Sequence, residues 1–430
     1  MKVFKFGGAS VKDISAVKNL AQIVKGYTEL VIVVSAMGKT TNALEKLLHH
    51  YFTQDSQLDE GYRQVLDFHL GIIKGLFPPG HQIFAKVDEI CRILATKLQA
   101  EPTMTYDFEY DQIVSYGEIL STIIVAEFLK YTGIDCTWVD IRKILKTDST
   151  YRDARVNFKV SENLVKEALS EKKIYLTQGF IASDENNLST TLGREGSDYT
   201  AALLAYFLDA EKVIVWKDVP GVLNADPKWF DNTIKLEKLT YTDAIELAFY
   251  GASVIHPKTI QPLKKKSIPL EVKSFFNPQL EGTKVGDFNY EKLVPSFIFK
   301  MDQVLIDVYP LDLSFIAEDT LQYIFQVLSE EKIKVNLMQN TAVRFRICTN
   351  NEELKVTSVV NKLSCLFRVT VLFHLELITI RYFDNATIAR VMDNKEMILE
   401  QRSQTTIQIL VRDKSIDSVQ KIFEPVKNTK

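Results

Sequence analysis

Six short runs put phosphate- and carboxylate-binding side chains at the ends of apolar stretches. Lys5-Phe6-Gly7-Gly8 follows a β-type run and precedes a helical pattern. Two glycines there let backbone N–H groups approach an anion, and a lysine at a strand end holds a phosphate as a point charge. A glycine turn of this kind also serves architecture alone. Ser35-Ala36-Met37-Gly38-Lys39-Thr40-Thr41-Asn42 contains Gly-Lys-Thr, which invites a P-loop reading. That pattern requires a glycine five residues before Gly38, and Val33 stands there, so the P-loop is rejected. Its hydroxyls either meet a ligand or cap the next helix. Ser115-Tyr116-Gly117-Glu118-Ile119-Leu120-Ser121-Thr122 is read as opening an apolar helix with Ile113, Gly117, Leu120, Ile124 and Phe128 along one face. Glu118, near the expected helix start, is then explained by the helix dipole alone.

The richest run is Thr190-Thr191-Leu192-Gly193-Arg194-Glu195-Gly196-Ser197-Asp198-Tyr199-Thr200, ahead of an alanine-rich helix. Glycine amides and Ser197 at a helix N-terminus make an anion site, and Arg194 can grip a carboxylate with two parallel hydrogen bonds. Asp198 either caps the helix or orients a lysine or metal. Trp216-Lys217-Asp218-Val219-Pro220-Gly221-Val222 leaves another strand, with Asp226-Pro227-Lys228 after it. Loops at the strand ends of an open parallel sheet face the ligand crevice. Gly251-Ala252-Ser253-Val254-Ile255-His256-Pro257-Lys258-Thr259 closes the set, and His256, with no second ligand at metal spacing, reads as structural.

The elements that must carry these runs follow from periodicity. Val3 to Phe6 and Leu30 to Ala36 are strands, separated by Ile14, Val17, Ala21 and Val24 at helical spacing. A strand–helix–strand unit with a continuously apolar strand predicts a parallel sheet covered on both faces. Lys173 to Phe180 and Lys212 to Val219 are further strands, with a helix from Tyr199 to Leu208 between them. Residues 48–104 read as a mostly helical insertion. A polar, glycine-bearing stretch near Asn277 to Tyr290 places a boundary at about residue 295. Beyond it, strands at Gln303 to Tyr309, Lys334 to Gln339, Val343 to Ile347 and Thr370 to Phe383 alternate with helices around Leu321 to Leu328 and Leu354 to Leu366. A weaker copy follows, with strands near Ile398 and at Ile407 to Val411 and a helix from about Ser415 to Phe423. Two ferredoxin-like modules are expected.

Composition sets the bounds. The chain has 430 residues, 46% hydrophobic and 25% charged, with a formal net charge of -3. That balance gives no global attraction to nucleic acid or an anionic membrane, so any phosphate-binding charge is local. Cys91, Cys136, Cys348 and Cys365 are scattered without a CxxC pair and read as buried thiols in a reducing compartment. No signal-peptide stretch and no run of 18 apolar residues is present, so a cytoplasmic protein off the membrane is expected.

Taken together and in this order, the six runs resemble those of the aspartokinases of the amino-acid kinase family, over about residues 1–290. The remainder resembles their paired ACT regulatory modules. The resemblance implies an α/β fold: a mainly parallel sheet sandwiched by helices over 1–295, then two ferredoxin-like α+β (ACT) modules over 296–430. It implies ATP-dependent phosphorylation of the L-aspartate side chain with Mg²⁺, first in the route to lysine, threonine and methionine. An amino-acid effector at the ACT modules and a homodimer are implied as well. By position, Lys5, Gly7 and Gly8 would hold the ATP phosphates, and Asp198 would position Lys5. Thr41, Glu118, Arg194, Glu195, Gly196 and Ser197 would bind aspartate, with Glu118 on its α-ammonium and Arg194 on its α-carboxylate. Ser35, Lys217, Asp218, Leu223, Lys228, Ser253 and Val254 would line the nucleotide site. No metal-ligating residue is assigned. A glutamate kinase and a catalytically silent amino-acid sensor are the competing readings.

The chain departs from the family pattern at several positions. Ala9 stands where threonine is frequent, and Glu195 replaces the second glycine of the Gly-Arg-Gly-Gly-Ser-Asp run. Lys217, Leu223 and Ser253 stand where threonine, tyrosine and lysine are common. Val335-Asn336-Leu337-Met338-Gln339-Asn340-Thr341-Ala342 lacks the acidic residues that would greet a lysine ammonium.

Overall fold

The computed structural model describes residues 1–252, 255–289, 294–312, 314–414 and 420–423. The chain divides into two compact units. The first comprises 1–222, 235–249 and 253–289, and the second 223–234, 250–252 and 290–430.

The first unit opens with β1 (Lys2–Phe6), α1 (Ile14–Val24) and β2 (Leu30–Val34). Asp13 starts α1 by accepting a hydrogen bond from the Ala16 N–H at 2.8 Å, and Val17, Leu20, Ala21 and Val24 form its buried stripe. Four helices follow, α2 (Thr40–Thr53), α3 (Leu58–Leu76), α4 (Ile83–Gln99) and α5 (Tyr106–Tyr131). Then come β3 (Cys136–Val139), α6 (Phe158–Ala168), β4 (Ile174–Gln178), β5 (Ile181–Ser183), β6 (Ser189–Thr191), α7 (Gly196–Phe207) and β7 (Val213–Lys217). The unit ends with β8 (Lys238–Thr240), α8 (Tyr241–Tyr250), α9 (Pro257–Lys265), β9 (Leu270–Ser274) and β10 (Thr283–Gly286).

Eight strands form one sheet in the order β3-β4-β2-β1-β7-β9-β10-β8. Its pairings are parallel except for β9 against β10. β1 sits between β2 and β7, with Phe6 beside Val34 on one side and Trp216 on the other. All five residues of β2 are buried, which is why its sequence is continuously apolar. Ligand crevices in open sheets lie where such neighbours diverge beyond their carboxyl ends.

α5 departs from expectation. It begins at Tyr106, capped by Thr105, so Glu118 lies more than three turns inside the helix and not at its start. The dipole account of Glu118 therefore fails. α5 is also the one helix, among the described residues, long and apolar enough to cross a membrane, but 83% of its apolar window is buried within the protein. It is a core helix.

The second unit contains β11 (Ser296–Pro310), α10 (Glu318–Glu330), β12 (Val335–Thr341), β13 (Arg344–Asn350), α11 (Glu353–Leu363) and β14 (Phe367–Arg381). A repeat follows in α12 (Asn385–Val391), β15 (Lys395–Arg402), β16 (Thr406–Asp413) and β17 (Gln420–Phe423). These strands form one antiparallel sheet, β12-β13-β11-β14-β16-β15, with β17 also on β14. α10 and α11 cover Val304, Ile306, Val308, Phe345 and Ile347, the alternating face of β11 and β13. The two ferredoxin-like modules share the long strands β11 and β14, whose register shifts between Lys300 and Leu305.

Two expectations are corrected here. Gln420–Phe423 is a strand paired with Val369 to Leu372, not the end of a helix; 415–419 lie outside the described residues. Short apolar runs do not separate helix from strand by periodicity, and here the open edge of β14 decides. Cys91, Cys136 and Cys348 are buried, but Cys365, just past α11, is exposed.

Candidate active site

A cleft of about 840 Å³ opens at the carboxyl end of the first unit's sheet. The ends of β1 and β7, the loops after β1, β2, β4, β6 and β7, the helices α2 and α5 and the start of α7 reach it, bringing Lys5, Gly7, Gly8, Ser35, Thr41, Glu118, Arg194, Glu195, Gly196, Ser197, Lys217 and Asp218 to its wall. That size falls within the range of small-ligand sites.

The turn after β1 is tight. A Cβ on Gly8 would sit 2.9 Å from the carbonyl oxygens of both Ala36 and Gly38, and the Gly38 N–H donates to the Gly8 carbonyl at 3.0 Å. Only glycine lets the loops after β1 and β2 approach so closely.

Lys5 and Asp198 form the centre. The Lys5 ammonium lies 2.7 Å from Asp198 Oδ1, and Asp198 is 1% exposed. Asp198 lies in the first turn of α7, whose N-cap is Glu195. Lys217 approaches the other oxygen, Oδ2, at 3.4 Å, and lies 3.7 Å from Glu195 Oε2. Burial would push the Asp198 carboxyl up, but Lys5 and Lys217 outweigh it and hold the group well below the usual carboxylate range. Burial opposes charge on Lys217, yet Asp198 and Glu195 raise it above the ordinary lysine value, so it is an ammonium throughout the neutral range. Glu195 has φ 55° and ψ 27°, the left-handed region, at a cost of about 1–2 kcal/mol for a residue with a Cβ.

Glu118 comes from the middle of α5. Its Oε1 accepts the Ala36 N–H at 3.1 Å, while the buried Oε2 has no hydrogen-bond partner. Burial pushes this carboxyl up to about 8, against the smaller opposing effects of Ala36 and Lys5. A buried oxygen left this way wants a cation or a proton. Arg194 presents an exposed guanidinium to the same cleft.

Leu223 and Lys228 belong to the 223–234 segment of the second unit. There Asn224 hydrogen-bonds Pro295 and Phe297, and Ala225 and Phe230 pack with Phe297. Ser253 and Val254 lie outside the described residues. His256 caps α9, accepting the Lys258 N–H at 3.2 Å.

Sequence reading missed Glu45, Tyr110 and Arg152, all lining the cleft. Tyr110 donates to Glu45 at 2.8 Å, and the Arg152 guanidinium stacks 4.5 Å from the Tyr110 ring centre. Glu45 and Tyr110 look like ordinary helix residues in sequence. Arg152 adopts φ 70° in a loop, a signal visible only in the structure. Asp111 ties this wall together, accepting the N–H groups of Arg152 and Thr191 and the Thr191 hydroxyl at 2.7–3.2 Å.

Residues 1–274 match the amino acid kinase family. The chain is 29% identical over 385 residues to the lysine-sensitive aspartokinase 3 of Escherichia coli, covering 86% of this chain and 84% of that one. It is also 29% identical over 384 residues to a chloroplastic bifunctional aspartokinase/homoserine dehydrogenase of Arabidopsis thaliana, of which it spans 42%. In three dimensions it superposes on E. coli aspartokinase III in complex with aspartate and ADP with a TM-score of 0.82 and 26% identity, over 96% of this chain and 97% of that one. The chain belongs to the amino acid kinase family, and within it is an enzyme of the aspartokinase type with paired ACT modules.

Proposed function

We propose that this protein transfers the γ-phosphoryl group of ATP to the side-chain carboxylate of L-aspartate, giving 4-phospho-L-aspartate for lysine, threonine and methionine synthesis. One observation carries the reading: Lys5, Glu118 and Arg194, distant in sequence, line one cleft, with Asp198 locked beneath Lys5. The aspartate carboxylate is ionised at neutral pH, so no general base is needed. An oxygen of that carboxylate bonds to the γ-phosphorus, the bond to the β-phosphate oxygen breaks, and ADP leaves. Catalysis is then alignment plus charge neutralisation.

Lys5 neutralises the transferring group, held in place by Asp198, and amides at Gly7 and Gly8 face the phosphates. Glu118 takes the α-ammonium with its unpartnered oxygen, and Arg194 takes the α-carboxylate. Thr41, Gly196 and Ser197 border the amino acid, and Ser35, Lys217 and Asp218 the nucleotide. Among the described residues no group of three or more His, Cys, Asp or Glu could hold a metal. Mg²⁺ would enter with the nucleotide, and a carboxylate of the cleft wall would help to hold it. Asp218, one of several carboxylates lining the cleft, would supply that contact, and the ion would neutralise phosphate charge.

We assign catalysis to residues 1–295 and regulation by an amino-acid effector to the ACT modules over 296–430, in a cytoplasmic homodimer. The name of the bacterial relative supports an effector. Trapping the acyl phosphate with hydroxylamine, in ATP and Mg²⁺ with aspartate or glutamate, tests the substrate. The hydroxamate should form with aspartate; preference for glutamate overturns the assignment.

A further inference from the structure

We propose that Lys217 is a second phosphoryl-binding catalytic residue and that Glu195 is its positioning residue, not a contact for the amino acid. The inference rests on the phosphoryl-transfer reading above and goes beyond it in assigning these roles.

Two ammonium groups flank one buried carboxylate. Lys5 approaches Asp198 Oδ1 at 2.7 Å and Lys217 approaches Oδ2 at 3.4 Å. They arrive from adjacent parallel strands, β1 and β7, whose ends border the cleft, and both line it. Asp198 lies beneath and does not line the cleft, so its part is to hold both lysines. Glu195 gives Lys217 a second anchoring carboxylate, at 3.7 Å.

Glu195 gives the arrangement its direction. It is the N-cap of α7, yet its side chain makes no capping hydrogen bond. It stands in a left-handed conformation that glycine would adopt freely. Strain at a ligand cleft, paired with a charge aimed at a neighbouring lysine, marks a residue retained for that contact. Two lysines and two carboxylates balance before any ligand enters. An incoming phosphoryl group competes with Glu195 for Lys217, and as the aspartate oxygen bonds to phosphorus and ADP departs, Lys217 and Lys5 bear on its oxygens from two sides. No proton moves.

The alternative is that Lys217 merely balances Glu195. The test compares Lys217→Ala, Glu195→Gly and the double variant, measuring kcat and KM for ATP in the hydroxamate assay with aspartate. Lys217→Ala should lower kcat about 100-fold. The double variant strands no charge and removes backbone strain, so it serves where the single variant folds poorly. It should keep a kcat deficit of at least about 30-fold, with its KM for ATP changed far less. Lys217→Arg should restore part of the rate. A double variant with wild-type kcat overturns the proposal and leaves the reaction assignment standing. A wild-type protein that forms no acyl phosphate from aspartate overturns both.

Discussion

Glu118 has a carboxylate whose environment is built for a visitor. Its pKa rises from 4.5 to about 8 because burial penalises the charge while one oxygen has no partner. Between those values the folded protein keeps a proton that the unfolded chain has lost. Stability therefore falls as pH climbs through this window, and the full penalty is present above about 8. Glu118→Gln keeps the acceptor for Ala36 but removes the ionisable group. Without substrate, the variant should melt about 3 °C or more above wild type at pH 8.5, with the gain vanishing near pH 4.5. Its KM for aspartate should rise about 10- to 100-fold, the loss of one charge-assisted contact. A variant that binds aspartate normally removes Glu118 from its role. Residue types at Lys5, Arg194 and Asp198 were legible in the sequence because glycines and strand ends flag them. The direction of Glu118 was not, because helix position depends on a start at Tyr106 that the apolar periodicity left open.

At the scale of elements, parallel strands aim their loops at one crevice and α5 braces it from behind. The central strand of the first unit was readable, since β2 is buried on both faces and so carries a continuous apolar run. The cross-chain ties were not. Asp111 joins α5 to β6 and to the Arg152 loop, and nothing local in its sequence marks it. Asp111→Asn puts an amide where three donors converge, so at least one loses its acceptor. The variant should lose about 1–3 kcal/mol of stability by denaturant titration. Its KM for aspartate should also rise, because Arg194 follows β6 by three residues. Unchanged stability would mean that α5 does not hold this wall. The final strand, β17, escaped sequence reading for a related reason: only an available edge on β14 makes that short segment extended.

At the scale of the whole molecule, the second unit carries one sheet that two ferredoxin-like modules share. In that sheet Asn336 stands where the family pattern has an acid, and the ammonium of Lys300 hydrogen-bonds its Oδ1 at 2.8 Å. Asn336 also donates to Gln303 and Asn350 at 2.8 Å. Burial, with Lys334 adding to it, pushes Lys300 down to about 8, a value that a second ammonium at this point would depress further. Millimolar L-lysine should therefore change the rate less than about twofold, below the 5- to 150-fold of typical allosteric coupling. Stronger inhibition would show that the modules admit lysine despite this network. The most direct measurement is acyl-phosphate formation from ATP, Mg²⁺ and aspartate by wild type and Lys5→Ala. Lys217 remains to balance Asp198 in the variant, so the fold should survive while kcat falls about 100- to 1,000-fold. A Lys5→Ala enzyme turning over at the wild-type rate would contradict the assignment of this cleft as the site of phosphoryl transfer.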